Sequence, residues 1–128
     1  LPSDWVSRME HQRKDGPQER LALLSLLMSE FRGVATRDVA EILGVKERRL
    51  LAMLHGEEDI PRRLTAHWES VANSLQMLHR VLRHSGTQLW LQTPIAELGG
   101  DTPVRAWSRK RDEVVTKLCQ SYLDPDFA

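Results

Sequence analysis

The sequence has little of what several classes of protein require. Its single cysteine, Cys119, excludes an internal disulfide and fits a chain kept in the reducing cytoplasm. Its 18 basic and 18 acidic residues cancel, so no global attraction to nucleic acid or to an anionic membrane is expected. No apolar run approaches the roughly 20 residues of a membrane-spanning helix. Strand signals, which are alternating β-branched runs bounded by turns, are nearly absent, so the sequence predicts an all-α fold.

Patterns typical of catalysis and metal binding are also missing. The five histidines have no serine or cysteine nucleophile motif beside them. His79 and His84 are off the i, i+4 spacing that would put two metal ligands on one helix face. Gly99-Gly100 lacks the lysine and flanking glycines of a phosphate loop. We therefore expect no enzyme activity, no cofactor and no metal, and we expect Cys119 to pack in the core rather than to act as a reactive thiol.

What the sequence does contain is a series of helix signals separated by turns. A chain of 128 residues can form one domain, or two small helical modules that share a core. Pro17 is predicted to open a helix that runs to about Arg32, after a polar arm that contains Trp5. The predicted segments are an N-terminal arm (1–16), a helix-turn-helix module (17–61), a connecting helix (62–86) and a C-terminal module (87–128).

Residues 36–55 have the spacing of two short helices that cross at a steep angle. Thr36 is predicted to cap the first helix and Gly44 to supply the turn. Ala40, four residues before Gly44, is small enough to allow the helices to approach closely. This pattern resembles the helix-turn-helix of Xre-like regulators over about twenty residues.

Such a motif implies DNA contact through the exposed face of its second helix. Lys46, Arg48 and Arg49 suit phosphate or guanine, whereas Glu47 repels phosphate. Between residues 46 and 64, five basic residues stand against four acidic ones, a small excess for a module that neutralises phosphates. The predicted DNA-binding residues are Thr36, Lys46, Glu47, Arg48, Arg49 and His55.

The segment from about Arg62 to His84 is predicted to be one long helix, ended by Ser85-Gly86. Its apolar residues recur at alternating steps of four and three, which gives a heptad seam of nearly three repeats. This seam is either one face of an intramolecular bundle or a homodimer interface, and the sequence leaves both open. It consists of Leu64, Trp68, Val71, Leu75, Leu78 and Leu82.

The most distinctive stretch is residues 90–103, WLQTPIAELGGDTP. Gly99 and Gly100 can take the left-handed backbone that other residues avoid, so a helix or turn can stop there abruptly. Thr102 followed by Pro103 is typical of an N-cap with proline at the first helical position. We therefore predict a final helix, or a bent pair of helices, over about residues 102–123.

This stretch resembles the signature of the toxin-binding domain of bacterial Xre/MbcA/ParS-type antitoxins. In that family a Trp-Leu leads through a proline-containing loop to Leu-Gly-Gly-x-x-Pro and a closing helix. With the helix-turn-helix upstream, the resemblance runs from about Val34 to Leu123. It implies an antitoxin of a type II toxin–antitoxin pair, whose partner is usually a RES-domain toxin that depletes nicotinamide adenine dinucleotide. The C-terminal module would occlude the toxin, and the N-terminal module would repress the operon.

The resemblance also implies which residues contact the toxin, and the sequence leaves a second function open. Trp90 and Trp107 lie near several arginines, a mixture enriched at interface hot spots, although both indoles could equally belong to the core. The alternative function is a stand-alone helix-turn-helix transcriptional regulator that its C-terminal module dimerises. The expected partners are the cognate toxin and a second copy of the chain, with operator DNA as a further candidate and no membrane. The predicted toxin-binding residues are Trp90, Pro94, Leu98, Gly99, Gly100, Asp101, Pro103, Tyr122 and Phe127.

Overall fold

The computed structural model describes residues 16–124, which form an all-α fold. Phe127 and the predicted N-terminal arm before Gly16 lie outside the described residues. No strand occurs between residues 16 and 124, as the sequence predicts. The helices are α1 Pro17–Glu30, α2 Thr36–Leu43, α3 Glu47–Leu54, α4 Thr65–Leu78, α5 His84–Leu91, α6 Pro103–Ser108 and α7 Asp112–Leu123, with short 3-10 turns at Arg62–Leu64 and Ala96–Leu98.

The first three helices follow the predicted pattern of starts and stops. α1 begins at Pro17, and Gly44 ends α2 with a left-handed φ of 75°. The predicted cap of α2 is wrong by one position, because Ala35 is the N-cap and Thr36 is the first helical residue. The carbonyl of Ala35 accepts the first helical hydrogen bonds, from the N–H groups of Asp38 and Val39. An alanine has no side-chain oxygen to cap the helix, so α2 has no side-chain cap.

The predicted long helix over residues 62–86 is wrong, because α4 ends at Leu78. The carbonyl of Leu78 accepts hydrogen bonds from the N–H groups of both Val81 and Leu82, at 3.0 and 2.8 Å, in a turn. A new helix, α5, then starts, and Gly86 lies inside it rather than at a helix end. Heptad spacing could not reveal this break, because Leu82, which follows the turn, still packs against the core and so continues the apolar pattern.

The heptad seam lies inside one chain. Trp68, Val71, Leu75 and Leu78 are fully buried, and Leu64 is 3% exposed. α4 packs most extensively against α7 on one side and against α1 on another, and these two helices cover the seam. The intramolecular alternative is therefore the one that the structure shows for these five residues, and the sixth, Leu82, is half-buried and packs against the same core. Homodimerisation stays a prediction with no surface assigned to it.

One hydrophobic cluster joins the segments that the sequence separates. It runs from Leu24 in α1 to Cys119 in α7, and α2 packs directly against α6. The indole Nε1 of Trp68 in α4 donates to the carbonyl of Leu43 at the end of α2, at 2.9 Å. The predicted modules 17–61 and 87–128 therefore share a core, as far as the structure describes them. Within residues 16–124, no helix has both the length and the apolar character needed to cross a bilayer.

Candidate functional site

The diglycine turn lies at the surface and has the backbone that the sequence predicts. Gly99 has a φ of 71° and Gly100 a φ of 86°, both left-handed. A Cβ added at either position would meet no atom within 4 Å. The need for glycine here is therefore a matter of backbone conformation and not of space, since left-handed backbone costs other residues about 1–2 kcal/mol.

Backbone hydrogen bonds hold the turn in one shape. The N–H of Ile95 donates to the carbonyl of Asp101 at 3.1 Å, and the N–H of Gly100 donates to the carbonyl of Ile95 at 3.0 Å. Leu98 is fully buried beneath the turn. The loop thus closes on itself over a buried leucine, which leaves the two glycines exposed on its outer side.

Two arginines between α6 and α7 also hold this loop. Arg111 Nη1 donates to the carbonyl of Leu98 at 2.9 Å and lies 3.4 Å from the Asp101 carboxylate. Arg109 Nη1 donates to the same carboxylate at 3.0 Å. Sequence reasoning missed this role, because two arginines between helices have the same pattern whether they face water or a carbonyl.

The helix that follows starts as predicted. The Thr102 hydroxyl accepts a hydrogen bond from the Arg105 N–H at 3.2 Å, and Pro103 takes the first helical position. Of the two predicted forms, a single final helix or a bent pair, the structure shows the pair, as α6 and α7. Lys110, with a φ of 61°, forms the turn between them, and it is the only non-glycine residue with positive φ within residues 16–124.

Both tryptophans near the diglycine turn belong to the core. Trp107 is fully buried and Trp90 is 8% exposed, and their rings meet edge to face with centroids 5.9 Å apart. Trp90 Nε1 donates to the Tyr122 hydroxyl at 3.0 Å. Burial raises the pKa of Tyr122, and the hydrogen bond from Trp90 opposes that shift. The core interpretation of the two indoles is confirmed, whereas Tyr122 itself is 38% exposed.

A groove of about 280 Å³ opens beside the diglycine turn, between α2 and the start of α6. Gln92 crosses one end of it, because its Nε2 donates to the Asp38 carboxylate at 3.0 Å. The lining residues are Asp38, Glu41, Gln92, Gly100, Asp101, Thr102, Val104 and Arg105.

The predicted toxin-binding residues therefore fall into two groups. Pro94, Gly99 and Gly100 are exposed, as is Tyr122, and Asp101 is partly exposed. The other described members shape the site from beneath; these are Trp90, Leu98 and Pro103, all buried.

The predicted DNA-binding residues lie at the start of α2 and on or beside α3. Lys46, Glu47, Arg48 and His55 are exposed on or beside α3. Arg49 is half-buried, and its Nε donates to the Glu58 carboxylate at 3.2 Å. The negative charge of Glu58 weakens the attraction of Arg49 for a phosphate. Thr36 is half-buried. The structure thus leaves four of the six residues exposed, and DNA contact stays a prediction.

The described residues show no cluster of metal ligands, and their cysteine is buried. Between residues 16 and 124, no group of three or more His, Cys, Asp or Glu side chains has metal-binding geometry. Cys119 is fully buried, as predicted, and burial raises its pKa to about 12. The Cys119 thiol is thus un-ionised at neutral pH and shielded from reagents.

Comparison with known proteins identifies a similar fold and no family. No protein-family model and no curated protein matches the chain. The fold is similar to a chain in the crystal structure of the M. tuberculosis MbcT-MbcA toxin–antitoxin complex, with a TM-score of 0.65. The match covers 79% of this chain and 90% of that chain at 18% sequence identity. At that identity the likeness defines the fold and leaves the function to be argued from the site.

Proposed function

We propose that this chain is the antitoxin of a type II toxin–antitoxin pair, and that it binds its toxin through the surface at the diglycine turn. The observation that carries the proposal is the exposed position of Gly99 and Gly100, where an added Cβ would meet no atom within 4 Å. The fold is similar to a chain of a toxin–antitoxin complex, and residues 90–103 resemble an antitoxin signature. The exposed loop, the fold and the sequence resemblance support the same function.

The geometry of the loop suits recognition of another protein. The Ile95–Asp101 and Gly100–Ile95 hydrogen bonds fix the backbone before any partner arrives. A preorganised loop binds with a smaller entropic cost than one that must order on contact. Because Gly99 and Gly100 carry no side chain, a partner can approach their backbone closely.

The proposed contact surface consists of the exposed residues of this site. Pro94 and the two glycines lie on the loop, and Tyr122 lies near the end of α7. Tyr122 is fixed by its bond to the buried Trp90, so it offers an aromatic face at little conformational cost.

We propose further that the toxin is a RES-domain protein that depletes nicotinamide adenine dinucleotide. The support for this finer statement is the sequence resemblance of residues 90–103 alone. Expression of the neighbouring open reading frame without this chain should lower the cellular dinucleotide pool, and co-expression should restore it. A toxin that leaves the pool unchanged would limit the proposal to antitoxin function in general.

Copurification with the product of the neighbouring open reading frame tests the binding surface. Asparagine tolerates left-handed backbone, so Gly99→Asn and Gly100→Asn keep the turn while they place a side chain on the outer face. Gly56→Asn is the matched control, because Gly56 has a φ of 75° and the same open space but lies after α3.

We expect the double variant at residues 99 and 100 to lose the toxin and the Gly56 variant to retain it. Equal retention by both would contradict the proposed surface. Equal loss by both would show that the substitutions do not act through this face, and would also contradict the proposed surface.

Operon repression is the second part of the proposal, supported by the open face of α3. Lys46 and Arg48 are exposed there after the left-handed turn at Gly44. A mobility shift with the promoter should weaken with rising salt and be lost in Lys46→Glu/Arg48→Glu, while Gly99→Asn leaves it intact. A shift that is indifferent to both charges would remove DNA binding from the account.

A further inference from the structure

His67 lies at the junction of three helices, and both of its ring nitrogens face acceptors. The residue is on α4 and is 8% exposed. Its Nδ1 lies 2.7 and 2.8 Å from the two oxygens of the Asp112 carboxylate, at the start of α7. Its Nε2 lies 2.7 Å from the carbonyl oxygen of Ile42, in the last turn of α2.

This arrangement restricts the protonation state of the ring. A backbone carbonyl only accepts hydrogen bonds, and so does an ionised carboxylate. A neutral imidazole carries one N–H, so one of the two contacts would bring lone pairs together at hydrogen-bond distance. A buried polar group whose hydrogen bond is not made destabilises the folded state. Both contacts are favourable at once when both nitrogens carry protons.

The helix ends around the ring favour the same distribution of charge. Asp112 is the first residue of α7, where the helix dipole stabilises a carboxylate. Ile42 belongs to the last turn of α2, where the dipole stabilises a cation. The Lys110 ammonium, which packs at Gly44 beyond that same helix end, is a positive charge that opposes the ring's. The direct Asp112 contact outweighs it, because the carboxylate is in hydrogen-bond contact with the ring.

We propose that His67 is a buried imidazolium that fastens α7 to α2 through α4. The charge on the ring binds the start of α7, the helix that carries Tyr122, to the end of the helix-turn-helix pair. These contacts of His67 need no toxin or DNA partner.

Ring-nitrogen NMR on the whole chain at neutral pH tests the protonation state. We expect both His67 nitrogens to show the shifts of protonated nitrogen, with the exposed His55 ring as a reference in the same spectrum. In Asp112→Asn the amide can donate to Nδ1, so we expect a neutral ring with its proton on Nε2. An unprotonated nitrogen in the unsubstituted chain, or a ring unaltered by Asp112→Asn, would overturn the proposal.

Hydrogen exchange tests the fastening. Amides of α7 should exchange faster in Asp112→Asn than in the unsubstituted chain. Glu113→Gln is the matched control, because it removes an exposed charge from the same helix start, with a side chain that is 84% exposed. Equal exchange in the two variants would show that the helix dipole, and not the imidazolium, holds α7 in place.

Discussion

The same substitution, glycine to alanine, should have opposite effects at two positions of this chain. Gly99 has a left-handed φ of 71°, and a Cβ there would meet no neighbour. The cost of Gly99→Ala is therefore purely one of backbone conformation, about 1–2 kcal/mol. Gly86 lies in α5, and its added Cβ would lie 3.5 Å from a Leu82 methyl, in ordinary contact. Gly86→Ala should stabilise the chain by about 0.5–1 kcal/mol.

Chemical denaturation of the two variants measures this difference. The free energies of unfolding should differ by about 1.5–3 kcal/mol in total, with Gly99→Ala the less stable variant. A thermal scan should show shifts of about 3–6 °C per kcal/mol for a domain of this size. Gly99→Asn should recover most of the loss, because asparagine visits the left-handed region at little cost. A Gly99→Ala variant as stable as the unsubstituted chain would refute the argument that backbone conformation requires glycine there.

Three further substitutions test the packing around the site. Leu75→Ala should lower the free energy of unfolding by about 2–5 kcal/mol, because this side chain is fully buried. Denaturation at several protein concentrations should give the same loss of free energy. A loss that depends on concentration would contradict an intramolecular seam. Tyr122→Phe should cost about 1 kcal/mol by leaving Trp90 Nε1 without its acceptor, and an unchanged denaturation midpoint would contradict that bond. Relative to Cys119→Ala, the unsubstituted chain should lose stability as the pH rises from 9 toward 12. Burial raises the thiol pKa from 9.0 to about 12, so the thiol ionises in the unfolded chain first. A difference in free energy of unfolding between the two chains that does not change with pH would contradict burial of the thiol.

Local features of the fold were predictable from the sequence because their causes are local. Proline at a helix start, glycine in a left-handed turn and a threonine cap act within a few residues of themselves. The turns at Gly44 and Gly99-Gly100 and the start of α6 at Pro103 therefore lie where the sequence places them.

Features that depend on distant residues were not predictable. The break after Leu78 lies beside His79, whose ring hydrogen-bonds the carboxylate of Glu30 in α1. The heptad seam gives the same spacing whether α7 or a second copy covers it. Arg111 reaches the Leu98 carbonyl only because α7 folds back on the loop. Each of these depends on which helices meet, and periodicity within one helix carries no such information.

The buried members of the predicted site illustrate the same limit. Trp90, Leu98 and Pro103 belong to the stretch that resembles the antitoxin signature, yet all three face the core. A sequence signature combines residues that touch a partner with residues that hold the loop in shape. Burial separates the two groups, and here it leaves the loop backbone and Tyr122 as the candidate contact surface.

Hydrogen exchange on the complex with the neighbouring gene's product tests the central claim most directly. Toxin binding should slow amide exchange over residues 95–102 and at the end of α7 around Tyr122, while α3 keeps its free-state rates. Protection of α3 or α1 with an unaltered diglycine loop would contradict the account.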